Sequence, residues 1–345
     1  STSVYPTGLG GNITAMGNKN LKWEKTKITD LGTTINILDG LLVFTGTYYF
    51  RRTVDLIADM YIPSSSGFLS YKDNIGEITN NGYEISLRVK ALAKSDAQLY
   101  FTANVASNKN KIKKISESLK SYNQKIEEKY QDNANKTETK KPLLKYVEGA
   151  STTSIYAMRS LGINPQTGDE IFRYKDGSYG TKWLASENVA IGNTEPKMNG
   201  TLSSNLFLYG VTLDVYFTYT YGGQQYNQTL QTKIENANIE NNVDKRVFTD
   251  RWKKQGDIAG FKSLKQYNIP TNPTSRFVQD DNTLTLQSVS VGYELPSEIL
   301  KKIRFSRVKF AFNMNDVFRV SSIKQKRGLS YPFARSYSFS VNVGF

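Results

Sequence analysis

The side chains of this chain that could do chemistry are acidic, amide and aromatic; it contains no histidine and no cysteine. Without His, neither a Ser-His-Asp nor a Cys-His relay can be assembled, and the usual zinc ligand sets are missing. Without Cys there is no disulfide framework and no thiolate site. Outside the lysine-rich stretch, two carboxylate pairs remain, Asp169-Glu170 and Asp280-Asp281. Calcium takes about six to eight oxygens, which two carboxylates do not supply. Both pairs therefore read as solvated turn residues, and no metal or cofactor is expected. A second group comprises Tyr174, Tyr179, Trp183, Tyr221, Tyr226, Trp252 and Tyr267, with Asn205, Gln224, Gln225, Asn227 and Asp281 as polar neighbours. Aromatic rings pack on the apolar faces of sugars, and amides and carboxylates bond the hydroxyls. The same aromatics would equally serve as loop packing or as a belt at a membrane boundary.

Such residues need a scaffold, and composition narrows what it is. The 345 residues include 22 Tyr and 17 Phe, yet mean hydropathy is -0.49. A sheet with one face in lipid and the other in water would carry both features. The formal charge of +14 invites a nucleic-acid reading, but the lysines concentrate in Lys109–Lys145 and no zinc-finger, RNP or phosphate-loop spacing accompanies them. A solvated lysine-rich loop fits better, and no nucleic acid is expected as a partner. No apolar run approaches the roughly 18–20 residues of a spanning helix, and Ser1–Pro6 lacks the features of a signal peptide. Any membrane crossing must use strands.

The chain reads as nine alternating segments. In Ala334–Phe345, the residues Tyr337, Phe339, Val341, Val343 and Phe345 share one face, and Ser336, Ser338, Ser340, Asn342 and Gly344 the other. Val211–Tyr221 and Tyr83–Ala91 alternate in the same way. Lys27–Leu38, Leu41–Arg51, Gln98–Ser107, Thr201–Leu208, Leu284–Leu295 and Arg304–Asn315 complete the set. In Leu284–Leu295 the apolar phase slips from even to odd, which predicts a bulge near Gln287-Ser288.

Connections alternate in length. Asp39-Gly40, Ala93–Ala97, Tyr209-Gly210 and Leu295–Lys302 are short, whereas Arg52–Gly82, Asn108–Gly200, Gly222–Thr283 and Asp316–Phe333 are long. Outer-membrane barrels show that asymmetry, with short periplasmic turns and long external loops. Residues 108–200 form the longest external loop and hold the lysine-rich insertion. Within it, Ile112, Ile115, Leu119, Tyr122, Ile126 and Tyr130 recur at spacings of three and four, predicting an amphipathic helix. Its stripe would pack locally or dock a partner. Nine strands leave two unpaired edges, which a bilayer does not tolerate. Residues 1–345 are therefore expected to be the carboxy-terminal part of a larger barrel.

Several segments, in order, resemble SusC/RagA-type TonB-dependent outer-membrane transporters. They are Asn18–Thr26 (N-x-N-L-x-W-E-x-T), Tyr48–Ile57, Asn74–Glu84 (N-x-G-x-x-x-N-x-G-x-E), Gly149-Ala150-Ser151, Gly162–Asp169, Arg276–Asn282, Gly292–Pro296 and Asn313–Phe318, with a terminal Phe345. The resemblance covers nearly the whole chain; the lysine-rich insertion and a shortened segment after Phe318 depart from it. It implies an all-β fold, a transmembrane antiparallel barrel of about 22 strands with a plugged lumen, and no enzymatic activity. It also implies TonB-driven uptake of a bulky glycan or peptide through the outer membrane of a Bacteroidetes-like Gram-negative bacterium, beneath a SusD-like lipoprotein lid. The plug and the TonB-contacting segment would lie outside these residues. Tyr337, Phe339, Val341, Val343 and Phe345 would be read by the β-barrel assembly machinery. The external aromatics Tyr174, Tyr179, Trp183, Tyr226 and Trp252, with Asp281, are the expected substrate contacts. A siderophore-type receptor, or a β-structured surface adhesin, is the alternative.

Overall fold

The computed structural model describes residues 2–5, 8–11, 15–61, 68, 70–134, 141–240, 243–266, 269–323 and 335–345. Among these, one sheet dominates. Its nine strands are β1 (Lys25–Ile37), β2 (Leu42–Tyr61), β3 (Ser70–Ala93), β4 (Ala97–Ile115), β5 (Met198–Leu208), β6 (Val211–Tyr226), β7 (Val278–Glu294), β8 (Arg307–Ser321) and β9 (Tyr337–Gly344). Each pairs antiparallel with its chain neighbours, and β1 and β9 form the edges.

Residues directly opposite in an antiparallel ladder share a face, so the register sorts side chains into rows. Ile35, Phe44, Leu87, Ala103, Leu202, Phe217, Leu286 and Phe318 form one row across eight strands. One residue along, Thr34, Thr45, Ser86, Asn104, Thr201, Thr218, Thr285 and Arg319 form the next, on the opposite face. An apolar face thus backs a polar one through the whole sheet. The apolar face has no protein cover: Phe312, Phe339, Val341 and Tyr293 are all exposed. A solvated protein would bury such a surface, whereas lipid covers it without cost. At the sheet edge, Phe339 stacks on Phe310 and Tyr337 on Phe312, with centroids 6.4 Å and 6.2 Å apart.

The expected bulge is present. The β7–β8 register shifts between Leu286 and Ser288, returning Val289 and Val291 to the apolar face. The short connections lie at one end of the sheet. Tyr209-Gly210 turns with both residues at positive φ, 46° and 87°, the geometry whose twist matches its strands. The segment after β7 contains a helix, Ser297–Ile303, where a plain turn was expected.

Two expectations need correction. Arg52–Gly82 is mainly ladder, because β2 and β3 continue pairing out to Tyr61 opposite Ser70. Residues Asn108–Ile115 likewise extend β4 along the lengthened β3, with Ile78 opposite Ile112 and Gly76 opposite Ile115. Ile112 and Ile115 are therefore strand residues, and only the later part of the predicted helix exists, as α1 (Glu117–Asp132). The available ladder partner outweighed helical periodicity. Ser116 caps α1, its Oγ accepting from the Leu119 amide at 3.2 Å. Leu119 and Tyr122 then pack on Met60, Ile112 and Ile115, so the stripe forms local core and not a docking face.

Family-like residues acquire physical roles here. The Asn74 amide donates to the carbonyls of Lys22 (2.9 Å) and Asp55 (2.7 Å), and its Oδ1 accepts from the Lys22 amide (2.8 Å). It ties the segment preceding β1 to the β2–β3 ladder. Gly76 has φ 146°, and a Cβ there would stand 2.0 Å from the Lys114 carbonyl oxygen.

Neighbouring residues on opposite faces provide a test of the sheet assignment. Phe44→Lys in the full-length protein is expected to cost about 2–4 kcal/mol as a charge facing lipid. Thr45→Lys is expected to cost under about 1 kcal/mol, because it faces water. Urea unfolding midpoints in lipid vesicles read the difference, and equal costs would refute the assignment.

Candidate functional site

The connections between β4 and β5 and between β6 and β7 meet beyond one end of the sheet. Short strands Ser154–Ala157 and Val189–Asn193 pair, as do Arg159–Ile163 and Glu170–Arg173. The second connection docks against the first: the Ser275 amide donates to the Met158 carbonyl at 3.0 Å, and the Trp183 indole to the Pro273 carbonyl at 3.1 Å. Met158, Ile234, Val247 and Phe277 are almost fully buried among these loops.

Ionic bonds hold the layer together as much as apolar contact does. Arg276 forms a fork on Glu170, with Nε and Nη2 donating to the two carboxylate oxygens at 2.7 Å each. Nη2 and Nη1 of the same guanidinium also donate to Glu235 at 3.2 Å and 3.3 Å, and Nη1 to the Gly260 carbonyl at 2.7 Å. Glu170 and Glu235 are 4% and 2% exposed. Arg251, equally buried, donates to the carbonyls of Ile234, Glu235 and Lys262. The segments that hold Glu170, Glu235, Gly260 and Arg276 thus meet at one guanidinium. Paired and fully bonded, these charges repay part of their desolvation; separated, they would not.

Above this network lies a cavity of about 410 Å³, lined by Gln131, Asp169, Glu170, Phe172, Lys182, Trp183, Lys262, Ile269, Pro270, Thr271 and Asn272, among others. Loss of solvation pulls the Lys262 ammonium below the usual lysine range, and Glu235 and Glu170 oppose that pull. A second recess, on the polar face of the sheet, is lined by Asp30, Tyr49, Arg51, Asn80, Glu84 and Asn108. There the Tyr49 hydroxyl donates to Asn108 Oδ1 at 3.0 Å.

No protein-family model matches the chain. TonB-dependent receptor P3 of Formosa agariphila is 25% identical over 86% of the chain, and the match spans 30% of the relative. TonB-dependent receptor SusC of Bacteroides thetaiotaomicron is 34% identical over 28% of the chain, and over 10% of its own length. Among solved structures, the RagAB peptide transporter superposes on the whole chain with a TM-score of 0.77 at 20% identity, and the match takes 38% of that chain. The RagAB peptide importer in its open-open state gives a TM-score of 0.74. This chain is similar in sequence to TonB-dependent receptors and in fold to RagA. It spans about 30% of the length of the first curated relatives, which are named as receptors and not as enzymes.

Of the substrate contacts expected from SusC/RagA resemblance, Trp183 alone lines the loop cavity. Tyr174 donates to the Lys182 carbonyl at 3.0 Å on the cavity's outer side, and Tyr179 is 66% exposed. Trp252 lies over Gly168, where φ is 77° and a Cβ would come within 2.6 Å of the indole. Its Nε1 donates to the Pro165 carbonyl at 2.8 Å. Tyr226 packs edge-to-face on Phe277 at 5.8 Å with its hydroxyl buried. Asp281 accepts from the Thr283 hydroxyl at 2.7 Å within β7, away from the cavity. Tyr221 lies in β6 on the apolar face, opposite Met198, and Tyr267 lies outside the described residues. Glu170 is not a solvated turn residue but a buried ion-pair partner. Among the described residues no group of three metal-ligating side chains gathers. Arg276, Glu235, Arg251 and Lys262 were not singled out by sequence. Only Arg276 had a local signal, a charge set between Pro273 and Phe277.

Removing the shared cation tests the network. Arg276→Met in the full-length protein leaves two buried carboxylates unpaired, expected to cost the loop layer about 3–5 kcal/mol. Faster trypsin cleavage near Lys253-Lys254, with unchanged heat-modifiable gel migration, is the expected readout. Unchanged loop cleavage would show that the network is not what holds the layer.

Proposed function

We propose that the full protein imports a bulky nutrient, a glycan or a peptide, across the outer membrane of a Bacteroidetes-like bacterium. The observation that carries this reading is the two-faced nine-strand sheet, apolar outside and polar inside, superposing end to end on a peptide transporter. The chain supplies wall and external loops, while a plug and a TonB-contacting segment belong to the rest of the protein. TonB provides the work. A SusD-like surface lipoprotein covers the loop layer. Trp183, the half-buried Tyr174 and the exposed Tyr179 meet the nutrient, and Trp252 shapes the neighbouring loop. Tyr226 supports the layer from within, and Asp281 steadies the strand below it. The polar recess around Tyr49, Arg51 and Glu84 faces the passage. At the other end, the β-barrel assembly machinery reads Tyr337, Phe339, Val341, Val343 and Phe345. These side chains also meet lipid, so one alternation serves both needs.

Two measurements check this. Disrupting the gene is expected to abolish accumulation of one labelled nutrient class, oligosaccharide or oligopeptide, and collapsing the inner-membrane proton gradient should do the same in the parent strain. Undiminished accumulation of both classes in the disruptant would overturn the reading. Separately, Phe345→Ala is expected to lower the heat-modifiable, folded fraction in the outer membrane several-fold; an unchanged fraction would remove the terminus from assembly.

A further inference from the structure

The charges beneath the loop cavity do not balance. Arg251, Lys262 and Arg276 face Glu170 and Glu235, so three cations oppose two carboxylates and one positive charge remains. Arg276 occupies both carboxylates, with fork geometry on Glu170. Arg251 donates through its two Nη atoms to backbone carbonyls, and its Nε is buried without a partner among the described residues. Neither Arg251 nor Lys262 has a carboxylate within 4 Å among the described residues, and of the two it is Lys262 that lines the cavity. Lys182 and Asp169 also line the cavity and contribute one charge of each sign.

We propose that this cavity takes the carboxylate end of an incoming oligopeptide, with Lys262 as its ion-pair partner. The inference rests on the import reading above and names the substrate chemistry. A partly desolvated ammonium gains most from a compact anion that brings the missing charge. The surrounding walls fit a peptide. Trp183, Ile269 and Pro270 offer apolar surface to a side chain, while Gln131, Thr271 and Asn272 add amide and hydroxyl groups to the lining. A uronic acid carries the same anion but surrounds it with hydroxyls, several of which would face Ile269 and Pro270 unpaired. A volume of about 410 Å³ accommodates a few residues of chain and not a folded partner.

The test uses the full-length transporter in detergent, titrated by calorimetry with tetra-alanine, its carboxy-terminal amide and trigalacturonic acid. The free acid is expected to bind about tenfold or more tightly than the amide, a ratio characteristic of one charge-assisted contact. Lys262→Met should bring that ratio close to one, and Lys262→Arg should keep most of it. Trypsin cleavage near Lys253-Lys254 at the parent rate establishes that the loop layer of each variant is folded, so lost discrimination cannot be lost structure. Equal binding of acid and amide, no binding of either, or discrimination that survives Lys262→Met would overturn the proposal. Tighter binding of trigalacturonic acid than of the peptide would overturn the peptide assignment. None of these results touches import itself, which the gene disruption tests independently.

Discussion

A backbone amide or carbonyl in hydrocarbon has no water to bond, and leaving one unsatisfied costs several kcal/mol. Much of this chain's architecture answers that constraint. Each strand is hydrogen-bonded on both flanks except at β1 and β9, and every connection within the ladder is a neighbour-to-neighbour antiparallel step. With the backbone satisfied internally, side chains are free to sort by face. The row running from Ile35 to Phe318 meets lipid, and the row from Thr34 to Arg319 meets water. The bulge at Gln287 belongs to the same logic. One extra residue restores the apolar phase that Leu284 and Leu286 would otherwise carry to the wrong side.

Beyond the membrane the constraint relaxes, and the loops are held by different means. There water satisfies the backbone, so long irregular segments are tolerated. Order comes from a small apolar core around Ile234, Ala237 and Val247 and from the Arg276 ion network. A guanidinium suits that position because its planar fork can serve two carboxylates and a carbonyl at once. The geometry also makes the layer a single unit: Glu170 belongs to one inter-strand connection, and Glu235 and Arg276 to the next. A displacement of one loop is therefore felt by both. Arg251 and Lys262 are left without a carboxylate for the same reason, since Arg276 takes both.

Between membrane and loops, a few family-like residues perform mechanical tasks. Asn74 stitches three backbone segments together, and Gly76 lets β3 pass close to β4 at Lys114. Trp252 covers Gly168 and bonds Pro165, fixing the turn that leads into Glu170. These contacts explain why such motifs recur as words of particular residues: each names an amide, a bare Cα or an indole that the local geometry consumes.

Strand existence, face and phase were legible in the residues themselves, because alternation with a period of two is a local property that lipid on one side and water on the other impose directly. Val211–Tyr221 and Tyr337–Phe345 needed no partner to be read. The bulge was legible for the same reason, as a break in that period. Strand length was not, since β2, β3 and β4 continue past the membrane, where their alternation weakens and only mutual pairing holds them extended. Ile112 and Ile115 show the competition: their spacing suits a helix, and the β3 ladder overrode it. The loop site was the least legible. Glu170 and Arg276 are 106 residues apart, and nothing in either segment names the other. What the sequence by itself determined is the two-faced sheet, encoded residue by residue; what only the tertiary structure decided is which charges meet across the loops, because that depends on where distant segments are brought.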